Sequence, residues 1–277
     1  MAVKIPNATA VTIVTIALNI VRSEPKVYFG LGLVSVLWSI VPVYGWANSS
    51  KVLAVISTKA YQKLLGVEET TAQIQQRLNR KFWSFWGLTI LGGIYIVILI
   101  CFCAIPFFAF TFVYLQIIEY YYLLALVGYS NSTVLFVVTI FGNIVYIGLL
   151  LFLGSLFFYL YGRVSFAELP LAVEPQQSIF GSLARAFALS AGQARKIQMV
   201  FSISSLILLN TWFTLPYLVV SGLIVLLGGS FIVLLGGIFL FLVVTYAILN
   251  TILQVTKAVI YYDLLCFREG VDLNIEM

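Results

Sequence analysis

Histidine does not occur in this chain. Its absence removes the commonest metal ligand and the commonest general base near neutral pH. Cysteine is scarce too: Cys101, Cys103 and Cys266 are odd in number, and the first two stand two residues apart inside an apolar run. No disulfide framework follows, and the three read as small core residues. Charge is also short. Charged residues make up 9% of the 277, where a water-soluble surface uses about a quarter. The formal charge of +5 is a small excess that reports orientation and contact with lipid head groups, so nucleic acid is not expected as a partner.

What is present is hydrophobic sequence, 62% of residues with a mean hydropathy of +1.08. About 20 apolar residues in a helix cross the roughly 30 Å hydrocarbon core of a bilayer, and the run 231–265 is longer than that. The predicted fold is therefore all-α, a single polytopic transmembrane helix bundle over 1–277, with about six membrane helices plus amphipathic interfacial helices.

Read in order, 8–22 is too short to span, carries Asn19 and Arg22 at its end, and is predicted as an interfacial helix rather than a removed signal peptide. Ser23-Glu24-Pro25-Lys26 is a turn, and 27–46 is a membrane helix kinked at Pro42. Membrane helices follow at 82–106, 107–127, 134–161, 199–227 and 231–265. The lack of charge between 82–106 and 107–127 favours one long, proline-bent helix over two crossings. Gly228-Gly229-Ser230 is a tight turn.

Two segments break this pattern. Within 48–81, Lys51, Lys59, Lys63, Arg77, Arg80 and Lys81 outnumber Glu68 and Glu69; within 163–196, Arg163, Arg185, Arg195 and Lys196 face Glu168 and Glu174. Basic residues are retained on the cytoplasmic side, so both are predicted as cytoplasmic amphipathic segments. In the second, Ile179, Leu183, Phe187 and Ala191 recur every four residues and make one apolar stripe. This bookkeeping gives five firm crossings. Either 8–22 and 27–46 form a hairpin that re-enters one side, or 107–127 adds a sixth crossing and keeps the N-terminus cytoplasmic.

Polar residues inside the apolar runs are the candidate functional groups. On the last run Tyr246, Asn250, Gln254, Lys257 and Tyr261 recur at steps of four, four, three and four, which places them on one helical face. Such a stripe serves either as a polar lining for a substrate or lipid groove, or as interhelical hydrogen bonding with a lysine reaching the interface. Asn143 and Asn210 read as glue between helices, and Glu119 as an outer-interface acid. Asp263, Arg268 and Glu269 are a candidate ion-pair lock at the membrane exit, which Glu174 and Arg185 join by their equal sidedness. No catalytic, cofactor-binding or metal-binding set is assigned.

The segment from Arg163 through Pro170 to Glu174, followed by Leu183-Ala184-Arg185-Ala186-Phe187-Ala188-Leu189-Ser190-Ala191-Gly192, resembles a pattern of the bacterial glycerophosphoryl diester phosphodiesterase membrane-domain family. Ala186, Phe187 and Ser190 stand where that family has Ser, Trp and Thr. The closing Tyr261-Tyr262-Asp263-Leu264, with Arg268-Glu269-Gly270, is similar to the family's C-terminal signature, with Leu265 in place of an Arg. The resemblance implies a stand-alone membrane domain without the catalytic domain, in a bacterial inner membrane or, in a photosynthetic bacterium, a thylakoid. With ten acids and no histidine, the phosphodiester chemistry is not expected here. Two function classes remain, a non-enzymatic scaffold or assembly partner and a transporter or lipid-handling protein. The partners expected are membrane lipids and other membrane proteins.

Overall fold

A computed structural model describes residues 8–67, 69–127, 132–174, 177–204, 222 and 231–269. The described residues are helical and turn structure without a strand. They divide into two compact units, Met1–Gly92 with Gly162–Met277, and Gly93–Tyr161.

The first unit starts with α1 (Ala10–Ser23), capped where the Thr9 side chain accepts from the Thr12 backbone N–H. Glu24 leaves the helical region and Pro25 opens α2 (Pro25–Ser39), because proline suits a first helical position. Here the structure corrects the sequence reading. The stretch 27–46 is not one kinked helix: α2 stops at Ser39, Val43 takes a positive φ of 61°, and α3 (Tyr44–Leu65) begins afresh. Pro42 supplies no N–H and disfavours helical geometry at Val41, so the run breaks. Gly45 then lets the chain close up, since a Cβ there would lie 2.1 Å from the Trp38 carbonyl oxygen.

Helix α3 ends at Gly66, left-handed at φ 72°, with Val67 N–H donating back to the Gln62 carbonyl. A capping box formed by Thr70 and Gln73 starts α4 (Thr71–Asn79). Within the segment 48–81, Ala54, Val55, Ile56 and Ala60 of α3 are wholly buried. Further along lie α5 (Phe82–Leu126), α6 (Ser132–Val164), α7 (Glu168–Val173), α8 (Ile179–Ser190), α9 over 194–204, and α10 (Phe231–Glu269). The pieces 82–106 and 107–127 are the single 45-residue α5, which continues through Pro106. A proline leaves one carbonyl without its donor but does not reverse a helix that has no other breaker.

Helices α2, α3 and α10 form the centre of the first unit, and they meet through small residues. A Cβ on Gly32 would lie 2.4 Å from Thr251 Oγ1 and 2.6 Å from the Ala247 carbonyl oxygen. Thr251 Oγ1 donates to the Tyr28 carbonyl at 3.2 Å, and the Ser35 and Ser49 hydroxyls join α2 to α3 at 3.0 Å. Close backbone approach plus interhelical hydroxyl bonding is how helices associate where lipid gives no hydrophobic drive. From Gln254 to Leu265 α10 is buried on every side.

The second unit is a helical hairpin built from α5 and α6. Tyr114 lies over Gly142, where a Cβ would sit 1.9 Å from the ring, and its hydroxyl bonds the Thr139 carbonyl at 3.1 Å and Asn143 Oδ1 at 3.3 Å. Its outward faces are apolar, with Phe102, Ile105, Phe108, Phe141 and Leu151 all exposed. A water-soluble fold does not leave such contiguous surface uncovered.

Three helices among the described residues are long and apolar enough to cross a membrane, Phe82–Leu124, Phe136–Val173 and Phe239–Glu269, the mark of a membrane-embedded protein. Most of 199–227, and the turn at 228–230, lie outside the described residues. The cysteines depart from expectation: Cys101 is exposed, and Cys103 and Cys266 are half-buried.

Candidate functional site: an ion-pair seam along the last helix

Gln254, Lys257 and Tyr261 occupy the buried stretch of α10. Partners come from α7 and the loop after it. Lys257 Nζ lies 3.1 Å from Glu168 Oε1, with side-chain exposures of 7% and 15%. In the amide orientation that satisfies both neighbours, Gln254 donates to Glu168 and accepts from Lys257. Glu168 stands in the first turn of the short helix α7, which buries Leu169 and Leu171 and packs against α3 and α8.

One turn further, Tyr261 donates its hydroxyl hydrogen to Glu174 Oε1 at 2.9 Å. Arg185 of α8 donates to the same Glu174 oxygen at 3.2 Å, and its other arm pairs with Glu269. Burial opposes the Arg185 charge, but the carboxylates of Glu269 and Glu174 outweigh it and hold its pKa above the ordinary value. Lys81 reaches across from the start of α5 and donates to the carbonyls of Leu171 and Glu174 at 2.7 and 2.8 Å. An ammonium at a helix C-terminus meets the negative end of the helix dipole. Burial nevertheless lowers the Lys81 pKa. This contact joins the segments 48–81 and 163–196 directly. Tyr61 of α3 packs edge-on to Tyr261 with ring centroids 5.6 Å apart, and burial pushes its hydroxyl pKa up to about 12.

Asp263 and Arg268 do not pair with each other. Asp263 is 3% exposed, lies 2.5 Å from Lys196 Nζ of α9, and accepts from the Ala8 backbone N–H at 3.4 Å. Arg268 instead donates to the Ala191 carbonyl. The helical register separates them: five residues on, Arg268 is turned about 140° around α10 from Asp263 and meets a different partner. Of the five residues read as one lock, Glu174, Arg185 and Glu269 form one cluster, and Asp263 and Arg268 belong to two others.

The rest of the stripe diverges. Asn250 is half-buried and Tyr246 is 41% exposed. The α8 stripe is likewise at the rim: Ile179, Leu183, Phe187 and Ala191 are half-buried, while the buried face is Ser182, Ala186, Leu189 and Ser190. Small residues admit the closest approach. Arg163 covers that face, donating to Ser190 Oγ at 3.1 Å and sitting 4.9 Å from the Phe187 ring centre. Asn143 and Glu119 are exposed, and Asn210 lies outside the described residues.

Sequence reasoning passed over Glu168 and Lys196 as site residues. Glu168 was visible as an acid six residues before Glu174 in the motif stretch, and Lys196 as a base at the foot of an apolar run.

A cavity of about 300 Å3 lies between Tyr61, Glu174, Arg185, Tyr261, Tyr262 and Glu269, and another of about 550 Å3 lies at the end of α3. Neither is lined by Asn250 or Gln254. Among the described residues, no group of three or more Cys, Asp or Glu side chains is placed to hold a metal ion. Within the seam, Lys257 pairs with Glu168, Arg185 with Glu174 and Glu269, and Lys196 with Asp263, whereas Lys81 and Arg268 meet backbone carbonyls. The chain matches no family model, no curated protein and no solved structure.

Proposed function

We propose that the protein is a non-enzymatic, multi-pass membrane scaffold or assembly partner. The observation that carries this reading is the internal use of the α10 polar stripe: Gln254, Lys257 and Tyr261 are all at most 5% exposed and are bonded to Glu168 and Glu174. A transport path along α10 needs those groups wet and available to a substrate.

The same reading counts α5, α6 and α10 as crossings, and with them the sequence-predicted span 199–227, most of which lies outside the described residues. Helix α1 has 14 residues and α2 has 15, both short of the about 20 a crossing takes, so the pair serves as a re-entrant hairpin. An even number of crossings returns 48–81, 163–196 and the end of α10 to one face, in keeping with the Lys81 and Arg185 contacts between them. Kinship with the glycerophosphoryl diester phosphodiesterase membrane-domain family, and with it a bacterial inner or thylakoid membrane, is part of this proposal. It rests on motif residues, several of which, Glu174, Arg185, Tyr261, Asp263 and Glu269, form the seam.

Extraction from native membranes in a mild detergent, followed by mass spectrometry, tests the scaffold reading. A second polypeptide retained in fixed ratio is the expected result. A monomer that carries lipid and no polypeptide would overturn the reading in favour of lipid handling.

A further inference from the structure

Helices α2 and α3 pack as an antiparallel hairpin with unlike ends. At one end Glu24 pairs with Lys59 and Lys63, at 3.0 and 2.7 Å. The other end, the elbow 37–46, holds no charged residue, and α2 keeps the two about 22 Å apart. At the elbow Leu37, Ile40, Val41, Val43, Tyr44 and Trp46 are each 44–60% exposed. An apolar patch of this kind marks an interaction surface.

Its neighbours identify the occupant. Ring contacts run from the elbow to the start of α5: Trp38 to Tyr44 at 6.0 Å, Tyr44 to Phe82 at 5.4 Å, Phe82 to Trp83 at 5.5 Å and Trp83 to Trp86 at 5.9 Å between centroids. Helix α5 is long and apolar enough to cross a membrane from Phe82 onward, so the patch is continuous with the entry of that helix. Four of the five tryptophans, Trp38, Trp46, Trp83 and Trp86, belong to this strip, and tryptophan and tyrosine favour the head-group layer. Lys51 holds its ammonium 5.7 Å from the centre of the Phe82 ring, as a lysine reaching from an apolar surface toward head groups does.

The turn itself meets polar groups from within. Tyr44 N–H donates to the Pro42 carbonyl at 2.8 Å and closes a γ-turn over Val43, while Pro42 has no N–H to satisfy. The Trp46 indole N–H donates to the Ser39 carbonyl at 3.1 Å, and the Asn48 amide to the Tyr44 carbonyl at 3.3 Å. Backbone that meets lipid needs such internal partners. At φ 61° a valine is strained where glycine would be at ease, so this position gives up backbone ease for an apolar side chain.

We propose that the elbow is a wedge inserted in lipid. Leu37, Ile40, Val41 and Val43 enter the acyl chains of the leaflet that α5 enters, the ring strip lies among its head groups, and the Glu24 end stays in water. The proposal rests on the membrane embedding of α5 and not on the scaffold reading.

Fluorescence quenching in phosphatidylcholine nanodiscs tests it. The full chain carries Cys101→Ser, Cys103→Ser and Cys266→Ser, and one fluorophore on a single cysteine from Leu37→Cys, Ile40→Cys, Val67→Cys or Ile98→Cys, all exposed positions. Lipids spin-labelled at two acyl depths quench from the bilayer and iodide quenches from water. Labels at Leu37 and Ile40 are expected about 5–10 Å below the head-group boundary and out of reach of iodide, as is the label at Ile98 within α5. The label at Val67, at the charged end, should answer to iodide alone. A protein with Trp46 as its only tryptophan, the other four replaced by phenylalanine, gives a reading without a label, and brominated phosphatidylcholine is expected to quench it. Iodide quenching at Ile40 equal to that at Val67 would place the elbow in water and overturn the proposal. Protection of Ile40 from both quenchers would overturn it too, because protein, either the segment 199–227 or a second copy, would then cover the elbow. So would Trp46 emission that brominated lipid leaves unchanged.

Discussion

Lys257→Met is expected to lower the melting midpoint of the detergent-solubilised protein by about 6–20 °C, from a loss of about 3–5 kcal/mol at about 2–4 °C per kcal/mol. Burial decides the size. An exposed ion pair is worth about 0–1 kcal/mol, but removing one member of a buried pair strands the other charge without water. Lys257 and Glu168 fall in the second class, with side chains 7% and 15% exposed, and Gln254 cannot neutralise the carboxylate that remains. Adding Glu168→Leu to Lys257→Met should restore most of the loss, since replacing both charges by apolar groups of similar volume is often neutral. Arg77→Met, which breaks the more exposed pair to Glu69, serves as the contrast, with a cost below about 1 kcal/mol. Equal melting of Lys257→Met and Arg77→Met would mean that the seam holds nothing together.

Gly32→Leu is the second large effect, and its mechanism is steric. The new Cβ would lie 2.6 Å from the Ala247 carbonyl oxygen, a backbone atom that cannot rotate away, and 2.4 Å from Thr251 Oγ1. Overpacking of this kind costs about 1–3 kcal/mol for modest insertions, and a full leucine forces α2 away from α10 and breaks the Thr251 bond to Tyr28. Gly30→Leu is the matched control. It makes the same change in hydropathy on the same helix, where a Cβ meets nothing within 4 Å, and leucine's better helix propensity should leave stability equal or slightly higher. Loss of the monodisperse peak for Gly32→Leu but not Gly30→Leu separates close packing from any general effect of a larger side chain.

These two glycines show where sequence legibility ends. Hydropathy sums over long windows, and it located α5, α6 and α10 because each holds a long window of high mean hydropathy. The same summation ran 27–46 together, although Pro42 and Gly45 divide it, because two local breakers barely change a window average. Most of helix α3 falls in the segment 48–81 that its basic residues marked as cytoplasmic, and charge counting says nothing of the small residues that let it sit between α2, α7 and α10. In the seam, sidedness brought Glu174, Arg185 and Glu269 onto one face, but it could not choose partners. Asp263 pairs with Lys196, 67 residues away, and that pairing exists only once α9 and α10 are packed.

Water accessibility at the centre of the α10 stripe tests the account most directly. In a background with Cys101, Cys103 and Cys266 replaced by serine, single cysteines are placed at Gln254, 3% exposed, and at Arg195, which is exposed. Each is then timed against a membrane-impermeant thiol reagent. A filled, paired seam predicts that Gln254→Cys reacts at least about a hundredfold more slowly than Arg195→Cys, since reaction must await a local opening of about 3 kcal/mol. Comparable rates at the two positions would place bulk water along α10 and contradict the closed seam.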